Sequence, residues 1–262
     1  MRKMTKQALE KENSTIFDED KNHMFTNYQK SVKPGLFKNE SYQAFFDNSV
    51  WEDYEELVYA VQRDKYDKTI EIASNEAIHP SEVIRPTGDN IMHICAEYGR
   101  VKLLTYFNKN GGELWSKNYA EELPIHLAAR EGQNEAIVYI LDNSSISVDV
   151  EMLDGWTPFH YAVNNGYLST VELLVSRGAN INAVDKFKRS ALHWAVRYNF
   201  TEIVEFLLQS NINYDLIDAE DQTAYQMAKS LSNIDLMELM EEHFKSIGII
   251  TKKAFKPSQF KT

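Results

Sequence analysis

The sequence predicts an all-α fold: a solenoid of stacked helix-turn-helix-loop units with an extended tail at each end. Three observations carry this. Four histidines, His93, His126, His160 and His193, lie 33, 34 and 33 residues apart, and Gln226 takes the same place 33 residues further on. A fixed period of this size marks a stacked-repeat architecture. The text around each also recurs, as IMHICAEYG (91–99), LPIHLAAREG (123–132), DGWTPFHYAVNNG (154–166), RSALHWAVRYN (189–199) and QTAYQMAKS (222–230). Finally, within one copy the apolar residues fall into two short stripes of helical spacing separated by a glycine.

The third copy shows how each element arises. Thr157 before Pro158 is a helix start, because the hydroxyl accepts from unpaired backbone N–H groups and Pro tolerates the first helical position. Phe159, Ala162 and Val163 give one apolar face, and Gly166 ends the helix where positive φ is needed. Leu168, Val171, Leu174 and Val175 form the stripe of a second helix, closed by Gly178. Ala179–Asp185 is too short and polar for another helix and predicts a loop folding back to the next copy. One such unit cannot bury both apolar faces alone and needs neighbours on each side.

These lines resemble the ankyrin repeat family. The best match is 154–183, DGWTPFHYAVNNGYLSTVELLVSRGANINA; the resemblance covers 84–243 well and 54–243 loosely. It implies that each imidazole hydrogen-bonds the Thr or Ser of its own turn and backbone in the neighbouring loop. That makes Thr157 with His160, and Ser190 with His193, structural pairs. Asn90 can serve His93 as a cap, whereas Leu123 offers His126 no hydroxyl. The fourth copy has Ala191 in place of Pro and Asn199 in place of Gly, and Asn tolerates the left-handed region. A metal site is not expected, since ligands must converge at about 2 Å from one ion. Residues one repeat apart are separated by roughly 10 Å in packed helix layers.

Domain boundaries follow from the period. Residues 1–50 form an N-terminal arm, and 51–243 the repeat domain, with a degenerate cap at 51–83. Repeats then lie at about 85–117, 118–151, 152–184 and 185–217, with a cap repeat at 218–243 and a basic tail at 244–262. The arm alternates aromatic and polar residues over 23–51, with a helical period from about Ser41.

Composition bounds the function. Residues 49–243 carry 15 Lys/Arg against 32 Asp/Glu, whereas 244–262 carry 5 against none. An acidic body repels phosphate backbones, so nucleic-acid binding is not expected. The single cysteine, Cys95, falls at a small inner-helix position and reads as a buried hydrophobe; no disulfide framework is possible within the chain. No apolar run is long enough for a membrane span. Glycine-rich phosphate loops and nucleophile, zinc and redox motifs are also missing, so neither an enzyme nor a cofactor is expected.

The expected function is therefore binding. Resemblance to the family implies contact-prone positions just before the Thr-Pro turn and at the end of the first helix, on the concave side of the stack. These are Glu97 and Tyr98; Tyr119, Glu122, Arg130 and Glu131; Leu153, Trp156, Asn164 and Asn165; and Lys186, Phe187, Arg189, Arg197 and Tyr198. Aromatic and arginine side chains dominate, as at interface hot spots. A stripe of three rings, Tyr119, Trp156 and Phe187, is expected along one edge. The first reading is a protein-interaction scaffold or adaptor within a larger complex, using this face and both tails. The alternative is a regulatory inhibitor that masks one soluble target. Location is expected to be cytoplasmic, and the basic aromatic tail KSIGIITKKAFKPSQFKT suits an acidic protein surface or filament, hence a cytoskeletal or ciliary setting.

Overall fold

The computed structural model describes residues 52–248. The N-terminal arm and the tail beyond 248, including their expected contacts, lie outside the described residues. Among the described residues twelve helices form six pairs. The cap pair is α1 (Glu52–Gln62) and α2 (Tyr66–Asn75). Repeat one is α3 (Ile91–Glu97) and α4 (Val101–Lys109), and repeat two α5 (Pro124–Arg130) and α6 (Asn134–Asp142). Repeat three is α7 (Pro158–Asn164) and α8 (Leu168–Ser176), repeat four α9 (Ala191–Arg197) and α10 (Thr201–Gln209). Repeat five is α11 (Ala224–Ser230) and α12 (Ile234–Ser246).

Each helix packs on its pair partner. The inner helices α1, α3, α5, α7, α9 and α11 stack in succession, and the outer helices α4, α6, α8, α10 and α12 stack behind them. One continuous core results. Ile94, Cys95, Ile125, Phe159, Leu192 and Ala195 are fully buried on the inner row; Leu104, Ile137, Val171 and Val204 are fully buried on the outer row. Cys95 thus sits as the expected small hydrophobe, and burial pushes its thiol pKa up, out of the reactive range.

The turn between paired helices has the same geometry throughout. The residues at positive φ are Asp64, Gly99, Gly132, Gly166, Asn199 and Ser232, and the next N–H in each case closes on a carbonyl five residues back. That residue also reaches over the preceding repeat's turn. A Cβ on Gly132 would meet the Tyr167 ring at 2.8 Å, and one on Gly166 would meet Phe200 at 2.8 Å. At Asn199 a hydrogen bond does the same work, with Asn233 Nδ2 donating to Asn199 Oδ1 at 2.7 Å. A comparison of two glycines separates backbone from packing. Gly178, at φ 87°, has open space around a built Cβ. Gly178→Ala is expected to cost only the left-handed penalty of about 1 kcal/mol, whereas Gly166→Ala adds displacement of Phe200 and costs about 2–3 kcal/mol. Urea melts of the two variants measure the difference; equal losses would show that the ring yields freely.

Before each of the five repeats a hairpin projects ahead of the inner helix. Antiparallel bridges pair Val83 with Asn90, Val184 with Ser190 and Ile217 with Thr223. Successive hairpins are tied by backbone bonds: Tyr119 N to Thr87 O at 3.1 Å, Leu153 N to Ala120 O at 3.3 Å, Lys186 N to Asp154 O at 3.1 Å and Ala219 N to Phe187 O at 2.9 Å. The fifth repeat differs from its expected boundary. α12 runs to Ser246, three residues past 243, because Phe244 is buried against Tyr214, with ring centroids 4.9 Å apart. The expected tail therefore begins after this helix.

Candidate protein-binding face

The histidines serve the scaffold. Nδ1 of His126, His160 and His193 accepts the backbone N–H of Leu123, Thr157 and Ser190 at 3.0, 3.2 and 3.2 Å. Nε2 then bridges to the next repeat: His93 to Glu122 O at 3.1 Å, His126 to Val150 O at 3.0 Å and His193 to Gln222 O at 3.0 Å. His126 holds this place although Leu123 has no hydroxyl, because the Leu123 N–H alone fixes the ring. Its Nε2 meets Val150 O, whereas His93 and His193 use the carbonyl just before the next helix cap. His160 departs from expectation in one respect: its Nε2 lies near the Ala183 and Arg189 carbonyls but meets no acceptor in bonding geometry among the described residues. Asn90 caps α3 and Thr157 caps α7, as their positions imply. Among the described residues no cluster of His, Cys, Asp and Glu is placed to hold a metal ion.

The hairpins and the exposed ends of the inner helices carry the expected contact residues, and they divide into two halves. Across repeats one to three the polar groups are satisfied internally. Arg85 pairs with Glu97; Arg130 lies 3.6 Å from Glu97, 3.6 Å from Glu122 and 3.5 Å from Glu131. Glu122 is buried and accepts from Asn118 Nδ2 at 2.7 Å and from the Tyr161 hydroxyl. Burial works against the charge of Arg130, yet Glu122 and Glu97 outweigh it and hold its pKa above the ordinary value. Tyr98 sits within this half, half-buried, with the Arg85 guanidinium 5.8 Å from its ring. Arg130, expected at a contact position, is thus met by three glutamates of its own chain.

Repeats three and four form the second half, which is aromatic. Trp156 meets Tyr161 at 5.1 Å and Trp194 at 5.0 Å; Trp194 stacks on Tyr198 at 6.1 Å with planes 11° apart, and Tyr198 lies 6.0 Å from Phe200. The Arg189 guanidinium lies 5.0 Å from both the Phe187 and the Trp194 rings. Arg197 is exposed, and Asn165 is half-buried with its amide donating to Tyr161 O at 3.0 Å.

The expected stripe needs correcting. Tyr119, Trp156 and Phe187 do not hold equivalent places: Trp156 stands directly before its helix cap and folds inward onto Trp194. The residue exposed at that hairpin is Leu153. Tyr119, Leu153 and Phe187 are 46%, 64% and 45% exposed, and Tyr198 is 47% exposed beside them. The sequence pattern passed over Trp194, which is 7% exposed. Its signal was present as size: the other copies carry Ile94, Leu127, Tyr161 and Met227 at that position.

Stacked helix pairs, linked hairpins and a row of exposed apolar tips define a repeat-solenoid interaction module. The chain belongs to the ankyrin repeat family: the family model described as ankyrin repeats (3 copies) matches residues 92–185 and 178–249, more than half of the chain. It is similar to neurogenic locus notch homolog protein 1 of Xenopus laevis, 27% identical over 106 residues, 40% of this chain and 4% of that protein. It is also similar to alpha-latrotoxin-Lh1a of Latrodectus hasselti, 33% identical over 88 residues, 34% of this chain and 6% of the toxin. A third relative is the B-cell lymphoma 3 protein homolog of Mus musculus, 29% identical over 100 residues, 37% of this chain and 22% of that protein. The chain therefore matches less than a quarter of the length of each of these. Ankyrin repeats are in general non-enzymatic modules for protein–protein interaction. No helix among the described residues is long and apolar enough to cross a membrane.

Proposed function

We propose that this protein is a non-enzymatic scaffold or adaptor that holds partner proteins on the hairpins and inner-helix ends of repeats three and four. One observation carries the reading: Leu153, Phe187 and Tyr198 are large apolar side chains left 64%, 45% and 47% exposed at the edge of a packed aromatic run. Large apolar side chains grouped in this way mark interaction surfaces. In the same reading both tails add contacts within a larger complex. The lysine and phenylalanine composition of 244–262 supports docking on an acidic protein surface or filament, in a cytoplasmic, cytoskeletal or ciliary setting. A single-target inhibitor is the competing reading; stoichiometry separates them, since it requires a stable one-to-one complex.

The triple substitution Leu153→Ala, Phe187→Ala, Tyr198→Ala is expected to leave stability within about 1 kcal/mol, because these side chains are exposed. It is expected to weaken partner binding roughly 100-fold or more. Affinity purification of the tagged chain from its native cells, with circular dichroism as a fold check, reads both. A partner set unchanged by the triple variant would refute the assignment. Trp156→Ala is a different kind of variant, expected to cost stability through Trp194 and Tyr161.

A further inference from the structure

We infer that repeat four receives an acidic peptide segment of a partner protein, one carboxylate of which bonds Arg189 and the Trp194 indole N–H. This rests on the reading of repeats three and four as the binding face and assigns the chemistry of what binds there.

Charge segregation is the first support. Residues 186–201 carry Lys186, Lys188, Arg189 and Arg197 and no acid, inside a body whose net charge over 49–243 is −17. The cations of this stretch are also poorly matched by the chain itself. Lys186 is held by Asp154 at 2.5 Å, but Lys188, Arg189 and Arg197 form no ion pair among the described residues. Arg85 and Arg130, in the other half of the face, are each met by glutamates.

Unpartnered donors are the second support. Trp194 Nε1 and Arg189 Nε are buried and have no acceptor among the described residues. They belong to side chains in contact, the guanidinium lying 5.0 Å from the indole ring. A buried N–H left without an acceptor is costly, and a carboxylate is the acceptor that serves a guanidinium and a second donor together. Phe187 and Tyr198 stand on either side as apolar walls for the residues flanking that acid, while Lys188 and Arg197 offer charge to a second one. A long polyanion fits less well, because it would run onto the acidic repeats around this patch. A short acidic segment need touch only the patch.

The test is selection of a random peptide library on the full chain, followed by binding measurements on the selected peptides. Enrichment of Asp or Glu beside an apolar residue is expected. Arg189→Gln, and Trp194→Phe, which keeps a ring and removes the donor, should each weaken binding roughly tenfold or more. Added salt should weaken it as well. Arg177→Ala, on the outer side of repeat three, should change nothing. Thermal melts confirm that each variant is folded; if Trp194→Phe is not, Arg189→Gln alone decides. Selected peptides without acid enrichment that are nonetheless lost with Tyr198→Ala would overturn the acidic assignment and leave the binding face standing. Peptides indifferent to both Tyr198→Ala and Arg189→Gln would overturn both. Tighter binding of a single-stranded oligonucleotide than of any acidic peptide would overturn the assignment too.

Discussion

Acidification is expected to destabilise this protein steeply below about pH 6.5, with four buried imidazoles as a principal cause. Burial lowers the pKa of His93, His126, His160 and His193, and takes His126 to about 4. The geometry agrees: at His126, His160 and His193 a proton on Nδ1 would face the backbone N–H that this atom accepts. The sign follows from linkage. Between the unfolded and folded values the unfolded chain binds more protons, so stability falls as pH falls. The contribution is fully present above the unfolded value of about 6.5 and, for His126, is lost as pH drops towards about 4. Each histidine contributes a slope of about 1.4 kcal/mol per pH unit within its window. The chain supplies its own control. At repeat five Gln226 takes the histidine's place, its Oε1 accepting the Thr223 N–H at 2.8 Å. His126→Gln is therefore expected to fold and to show a slope shallower by about one proton between pH 6.5 and 4. Urea midpoints across that range measure it. Parallel slopes for the variant and the parent would show that the imidazole titrates alike in both states.

Glu122→Ala is expected to cost about 2–4 kcal/mol, although it removes a residue that the family pattern places among contact positions. Its carboxylate accepts from Asn118 and Tyr161 and lies 3.6 Å from Arg130. Removing it takes one acceptor from Asn118, which keeps Asp89, and the carboxylate from the Tyr161 hydroxyl, which keeps the weaker Met152 sulfur, and it leaves Arg130 to Glu97 and Glu131. The Arg130 side chain is 23% exposed, which keeps the cost below that of a fully buried broken pair. Glu131→Ala is the matched comparison; its carboxylate is 34% exposed, and the expected change is within about 0.5 kcal/mol. Denaturant titrations of both variants separate them. A stable Glu122→Ala that loses partner binding would place this residue at the interface and contradict its structural role.

What was legible in the sequence is what the repeat dictates locally. The Thr-Pro start, the residue at positive φ and the two apolar stripes each concern neighbours within a dozen positions, so the helix pairs and their turns follow from them. Asn199 shows the reach of such reasoning, since its left-handed conformation was expected and is found at φ 60°. What escaped depends on contacts between copies. Trp156 was ranked by its place before the turn, but its orientation is decided by Trp194 in the next repeat. Arg130 stands at the end of an inner helix, and its approach to Glu97, one copy earlier, is not written in its own repeat. The boundary at 243 followed the change to basic composition, whereas burial of Phe244 under Tyr214 sets where the last helix stops.

Crosslinking mass spectrometry on the native complex tests the central claim most directly, because lysines mark opposite sides of the stack. Lys186 and Lys188 lie on the repeat-four hairpin, and Lys102 and Lys109 on α4 of the outer row; all four are exposed. Crosslinks to partner proteins from Lys186 and Lys188, lost in the Leu153→Ala, Phe187→Ala, Tyr198→Ala variant, are the expected result. Partner crosslinks from Lys102 and Lys109 that persist in that variant, with none from the hairpin, would contradict it.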